Sequence, residues 1–144
     1  DYPAAVLGLG ATVHTDRRSI AADAFFKGMF ETALAADEIV TKITFPVVER
    51  AAYMKFPNPA SRYAIVGVFV AKGSAGVRVA VTGAGASVFR ASDMEKALTA
   101  SFQPKAIEGI AVSAAGLNSD IHASADYRAH LVGVMARRAV AACA

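Results

Sequence analysis

Cysteine occurs once in these 144 residues, as Cys143, and tryptophan does not occur at all. A single cysteine excludes a disulfide framework within the chain and any cysteine-based metal site, and it agrees with a reducing compartment. Charge is also sparse. Charged residues make up 19% of the chain, 15 basic against 12 acidic, for a net +3. That excess is small and forms no basic run, so it does not point to nucleic acid; it reads as a solvated surface. No apolar run reaches the roughly 20 residues needed to cross a bilayer, so no transmembrane segment is expected. The opening Asp1-Tyr2-Pro3 has neither the basic start nor the apolar core of a signal peptide. The chain therefore reads as soluble and cytoplasmic. What it does have is apolar bulk, 55% of all residues, with alanine and valine dominant. That is enough for a substantial core, excludes intrinsic disorder, and suits helices packed closely on a sheet.

The pattern along the chain is mixed. Ala11 to Thr15 alternates as a strand, Asp16-Arg17-Arg18 is a polar turn, and Ser19-Ile20-Ala21 completes a hairpin. Ala22 to Phe30 carries Phe25, Phe26, Met29 and Phe30 at near-helical spacing, and Glu31 to Asp37 reads as a loop. Glu38 to Phe45 is a strand, with Ile39, Thr41, Ile43 and Phe45 on one face and Val40 on the other; Pro46 ends it. Ala52 to Phe56 is a short strand. Ile65 to Ala71 is apolar throughout and fits either a buried strand or a helix. Val77 to Thr82 alternates as a strand, and Ser87 to Arg90 is a candidate for another. Ser92-Asp93-Met94-Glu95 matches a capping box, which places a helix from Asp93 to about Ser101. A short helix is expected over Pro104 to Ile110, and the longest one over Asp126 to Ala142. Strands followed by helices indicate an α+β unit: an antiparallel sheet of about three strands packed with helices, with a boundary near Pro46 to Arg50.

Most candidate motifs have an ordinary explanation. Gly83-Ala84-Gly85 follows a strand, as a dinucleotide fingerprint does. That fingerprint, however, needs a helix to begin at the second glycine so that free amides meet a pyrophosphate. Here Val88 stands where the third glycine belongs and the helix starts only near Ser92, so the stretch reads as a tight turn between strands. His14, His122 and His130 form no metal-ligand spacing and read as surface or capping residues. Ser61, Ser87 and Ser113 lack the G-x-S-x-G elbow. Asn118 to His122 reads as turn and cap chemistry, or else as a loop that docks a partner subunit. Arg128, Arg137 and Arg138 read as solvated, and Cys143 as a frayed-end residue.

Lys55 is different. In Ala52-Tyr53-Met54-Lys55-Phe56 one lysine sits between aromatic and apolar neighbours, just ahead of the run Tyr63 to Ala71. An ammonium is costly to bury unless it meets an anion or an electron-rich partner. Taken alone, Lys55 reads as a snorkelling side chain whose stem covers apolar surface.

The order of several segments adds to this. Asp1-Tyr2-Pro3-Ala4-Ala5, Phe25-Phe26-Lys27-Gly28, Asp37-Glu38-Ile39-Val40, Tyr53-Met54-Lys55-Phe56, Arg62 to Gly67 and Val77 to Gly85 together resemble the flavin-binding medium subunit of the molybdenum hydroxylases, the family of aerobic carbon monoxide dehydrogenase and xanthine dehydrogenase. The resemblance covers nearly the whole chain. It implies that residues 1–47 are the C-terminal part of the second FAD-binding lobe and that 48–144 are the C-terminal α+β domain. The family's glycine-rich flavin loops would precede Asp1, so the chain is expected to be a fragment or a separately encoded portion. By position, Asp1 matches the acid near the ribityl and isoalloxazine end of FAD, Val40 an apolar contact to the ring system, and Lys55 the lysine near the pyrimidine edge. Arg62 stands where many relatives carry an acid. The implied protein is an oxidoreductase subunit. Its FAD takes electrons from an iron–sulfur small subunit carrying [2Fe–2S], which is fed by a molybdopterin large subunit, and passes them to an external acceptor. The rival is a non-catalytic α+β domain that docks subunits and does not bind FAD by itself; for the 144 residues alone, this rival is preferred.

Overall fold

The computed structural model describes residues 1–143. The chain opens with helix α1 (Tyr2–Gly8), followed by strands β1 (Thr12–Thr15) and β2 (Ser19–Ala21). The expected hairpin forms, with Val13 opposite Ile20. Strand β5 (Val40–Thr44) pairs antiparallel on the other side of β1, giving the order β2-β1-β5. Between β2 and β5 the expected helix over Ala22 to Phe30 is only one turn long, α2 (Ala22–Phe25). The chain then becomes a small hairpin of β3 (Phe26–Gly28) and β4 (Glu31–Thr32). The reason is local: Phe26 pairs with Thr32, and the Phe25 carbonyl accepts from the Ala33 amide, so strand pairing takes the backbone groups a longer helix would need.

The second unit is a four-stranded antiparallel sheet in sequence order: β6 (Arg50–Pro57), β7 (Ala64–Gly73), β8 (Gly76–Thr82) and β9 (Phe89–Arg90). The apolar run that fitted strand or helix is the central strand β7. Its β-branched residues on one face pack against helices while β6 and β8 satisfy its backbone on both sides. Helices α3 (Ser92–Ala100) and α4 (Ala125–Ala142) follow, with a 3₁₀ turn over Pro104–Ile107. Val66, Val68 and Val70 of β7 and Val79 and Val81 of β8 are fully buried. They form one core with Met94 and Leu98 of α3 and Leu131, Val132 and Met135 of α4. Phe69 and Ala80 point to the other face, where they meet Val6 and Leu7 of α1. The sheet is thus a middle layer between α1 and the α3–α4 pair, as the period of two requires.

Three readings need correction. The capping box is not made. Ala91 occupies the N-cap of α3 with no side-chain bond, and Glu95 turns instead to the Val79 amide (2.9 Å) and to Arg90 Nε and Nη2 (2.8 and 2.7 Å). A buried carboxylate there satisfies a strand amide and a cation at once, which a helix-end bond does not. Arg128 is not solvated but 4% exposed. It donates to the carbonyls of Ile65 (2.6 Å) and Gly83 (3.1 Å) and to Asp120 (2.7 Å). Cys143 is buried against β7, with its sulfur 3.9 Å from the Val70 carbonyl oxygen, rather than frayed.

Candidate functional site

Strand β6 alternates cleanly. Ala52, Met54 and Phe56 pack with the α3–α4 core, so Tyr53 and Lys55 share the opposite face, toward α1. On that face Lys55 Nζ donates to Asp1 Oδ2 at 3.0 Å, and the Tyr53 hydroxyl donates to Asp1 Oδ1. The structure therefore brings together two of the three residues the resemblance singled out, 54 positions apart in the chain. Lys55 is neither fully buried nor free: its side chain is 29% exposed.

Each partner is placed by a separate feature. Asp1 sits at the N-cap of α1 but its side chain makes no capping bond. Pro3 lies within the first turn and has no amide to offer, so the carboxylate is available to β6. Tyr53 reaches Asp1 by lying across β7 at Gly67. A Cβ on Gly67 would stand 2.8 Å from Tyr53 Cζ and 2.9 Å from Cε2, a distance no side chain tolerates. Phe69, directly opposite Tyr53 in the pairing, supports the ring with centroids 6.4 Å apart. Burial pushes the Tyr53 phenol up to about 12, so it stays protonated and donates.

The position of α1 is fixed from its other end. Arg78 of β8 donates through Nε and Nη2 to the Leu7 carbonyl (3.0 and 2.8 Å) and through Nη2 to both oxygens of Asp23 (2.9 and 2.8 Å). Asp23 is shared with Arg90 at 3.2 Å. Burial alone would raise the Asp23 carboxyl, but the two guanidiniums overcome it and hold the group below its usual range. The network joins α1, α2, β8, β9 and α3. In the first unit, the Glu38 side chain is 1% exposed. It accepts from Arg18 Nε and Nη2, Thr15 Oγ1 and the Ala35 amide at 2.8 to 2.9 Å, and these donors, Arg18 foremost, hold it far below the ordinary carboxylate range.

Val40, the third assigned residue, lies on β5 of the other sheet, paired with Thr15 and partly exposed. It belongs to neither the Asp1 cluster nor the core. Gly83-Ala84-Gly85 is a turn: Gly83 has φ +79°, and a Cβ there would collide with the Ala64 carbonyl and stand 3.0 Å from that of Ile65. A cavity of about 500 Å³ lies elsewhere, between residues 85–94 and 110–117, and none of Asp1, Val40 and Lys55 lines it. Among the described residues no three His, Cys, Asp or Glu side chains cluster as metal ligands, and no helix is long and apolar enough to cross a membrane. Sequence reasoning quoted Tyr53 and Gly67 within motifs but gave neither a role. The available signal was the spacing of two between Tyr53 and Lys55, which puts both on one strand face.

Two family models match separate stretches of the chain. Residues 51–143 match the family described as CO dehydrogenase flavoprotein C-terminal domain, and residues 1–48 match that described as FAD binding domain in molybdopterin dehydrogenase. The nicotine 6-hydroxylase medium subunit of Paenarthrobacter nicotinovorans is 35% identical, the match covering 97% of this chain and 54% of that protein. The carbon monoxide dehydrogenase medium chain of Hydrogenophaga pseudoflava is 27% identical, with the same coverage of 97% and 54%. Among solved structures, reconstituted CO dehydrogenase from Oligotropha carboxidovorans superposes with a TM-score of 0.84 at 26% identity, covering 99% of this chain and 56% of that one. Quinoline 2-oxidoreductase from Pseudomonas putida 86, at 23% identity and a TM-score of 0.78 over 99% of this chain and 55% of that one, shares the fold. The chain spans about half the length of the curated relatives it matches. It belongs to the family of FAD-binding medium subunits of the molybdenum hydroxylases, and carries that family's α+β C-terminal domain.

Proposed function

We propose that this chain forms one wall of the FAD site in the medium subunit of a molybdenum hydroxylase. Lys55 stands at the pyrimidine edge of the flavin, Asp1 near its ribityl and isoalloxazine end, and Val40 against the ring system. The observation that carries the reading is the Asp1–Lys55 pair, formed at 3.0 Å between residues 54 positions apart, with the ammonium still open to one side. The donor set fits the group. A lysine that spends one N–H on a carboxylate keeps two for an electron-rich edge, and a cation there stabilises negative charge on a reduced ring. FAD, when bound, supplies the electron-carrying chemistry; the chain's own residues orient it and set the charge at its edge.

In this reading residues 1–47 complete the second FAD-binding lobe and 48–144 form the C-terminal domain. The subunit receives electrons from an iron–sulfur small subunit, itself supplied by a molybdopterin large subunit, and delivers them to an external acceptor, inside the cytoplasm. The relatives' own descriptions as medium subunit and medium chain support an assembly of this kind. The test is Lys55→Met in the full-length, FAD-loaded protein. The flavin reduction potential falls or its dissociation constant rises. If both keep their wild-type values, Lys55 does not face the flavin.

A further inference from the structure

We propose that Tyr53 is a positioning residue for Lys55: acting through Asp1, it sets how much of the lysine's positive charge reaches an electron-rich ligand edge. The proposal rests on the reading that this edge is a flavin's. The geometry is a chain of three groups. The Tyr53 hydroxyl takes one oxygen of Asp1 and Lys55 Nζ takes the other at 3.0 Å. Lys55 Nζ makes no further hydrogen bond among the described residues. A carboxylate has two oxygens to share. A neutral donor on Oδ1 draws charge away from Oδ2, so the pull on the ammonium weakens and more of its field is left for a third partner.

Packing accounts for the ring of Tyr53, and the bond to Asp1 for its hydroxyl. Its ring lies on the α1 side of the sheet, where the neighbouring β7 position is Gly67, directly opposite Lys55 in the pairing. That is the one residue type that leaves room for the phenol. A phenylalanine would fill the same space over Gly67 and against Phe69, so the gap serves the ring and the hydroxyl serves Asp1. With its phenol pushed up to about 12 by burial, Tyr53 stays un-ionised near neutrality, so its action is orientation and charge distribution through the bond to Asp1.

The experiment uses the full-length, FAD-loaded protein and compares Tyr53→Phe, Lys55→Met and the double variant, with Gly67→Ala as a second way to displace the ring. The readouts are the flavin reduction potential and the FAD dissociation constant, with melting temperature alongside. Without the phenol, Asp1 concentrates on Lys55, so Tyr53→Phe disfavours the reduced flavin in the same direction as Lys55→Met but less. The expected size is roughly threefold to tenfold in the redox equilibrium, a fraction of a charge-assisted hydrogen bond. Gly67→Ala shifts the potential the same way, and Tyr53→Phe adds nothing in the Lys55→Met background, as a shared path requires. A wild-type potential in Tyr53→Phe beside a lowered one in Lys55→Met overturns the proposal, whatever the melting temperature does, and leaves the Lys55 reading standing. A full Tyr53→Phe effect in the absence of Lys55 also overturns it. A wild-type potential and affinity in Lys55→Met removes both the reading and the proposal.

Discussion

Replacing Arg128 by methionine tests whether the end of the sheet is held by one buried cation. Arg128 enters from α4 with its side chain 5% exposed and donates to Ile65 O, Gly83 O and Asp120. Ile65 lies where the β6–β7 register shifts and is paired with no residue of β6 or of β8, so its carbonyl depends on the guanidinium. Gly83 keeps a weaker donor in Asn118 Nδ2 at 3.3 Å. Methionine keeps the apolar stem but supplies no donor. An unsatisfied buried acceptor costs about 1–3 kcal/mol, and the Ile65 carbonyl bears most of that. Adding a partial loss at Gly83 gives about 2–4 kcal/mol in all. For a chain of this size, that corresponds to a fall in melting temperature of about 10 °C. Urea unfolding at pH 7 should show the midpoint falling with little change in slope, the mark of a stability change rather than an altered unfolded state. Asp120→Asn should cost clearly less, because that partner lies at the surface. A methionine variant melting within about 2 °C of wild type would refute the reasoning, since the strand carbonyls would then be satisfied without Arg128.

Two further outcomes follow from buried titratable groups. Glu38 is held below its ordinary value of 4.5 by Arg18, the Ala35 amide and Thr15; the unfolded chain therefore binds its proton first as pH falls, and the stability from the charged carboxylate, complete above about pH 4.5, is lost on acidification. Glu38→Gln should accordingly melt well below wild type at pH 7, with the gap narrowing progressively as pH falls below about 4.5 and still open at pH 3; a gap constant from about pH 5 to pH 3 contradicts the assignment. Cys143 has its thiol pushed up by burial, so a thiol-specific reagent at pH 7.5 should label it slowly in the native protein and at once in denaturant; complete native labelling within the mixing time would place it outside the core.

The strands were legible wherever one face is dry and the other is not. β1 and β2 show that alternation in the sequence, β8 keeps it because Arg78 interrupts its α1-facing side, and the family resemblance could be read from segment order because segment order survives changes in individual side chains. β7 was ambiguous because it is covered on both faces, by α1 and by α3–α4, so its sequence is apolar throughout and carries no period to read. The helical spacing over Ala22 to Phe30 misled because its aromatic residues serve a turn and a hairpin whose pairing partner lies beyond the segment. The Ser92 to Glu95 box misled for a similar reason: local spacing records which bonds are possible, and Glu95 found a better set on β8 and β9.

The sequence by itself determined the α+β class, the order of most elements, the family, and the presence at Lys55 of a cation that needed a partner. It did not determine that partner. Asp1 is 54 positions away, and nothing near Lys55 in the chain indicates it. The tertiary structure decided the contact: it pins α1 through Arg78 at its far end, leaves Asp1 uncommitted to its own helix, and opens β7 at Gly67 so that Tyr53 crosses to the same carboxylate. Arg128 and Cys143 make the same point from the core side, since a polar side chain on a helix is solvated or buried according to which strand carbonyls the fold sets against it. Patterns of burial are local and periodic, so a chain displays them. Pairings between distant polar groups depend on the packing of whole elements, and only the assembled fold settles them.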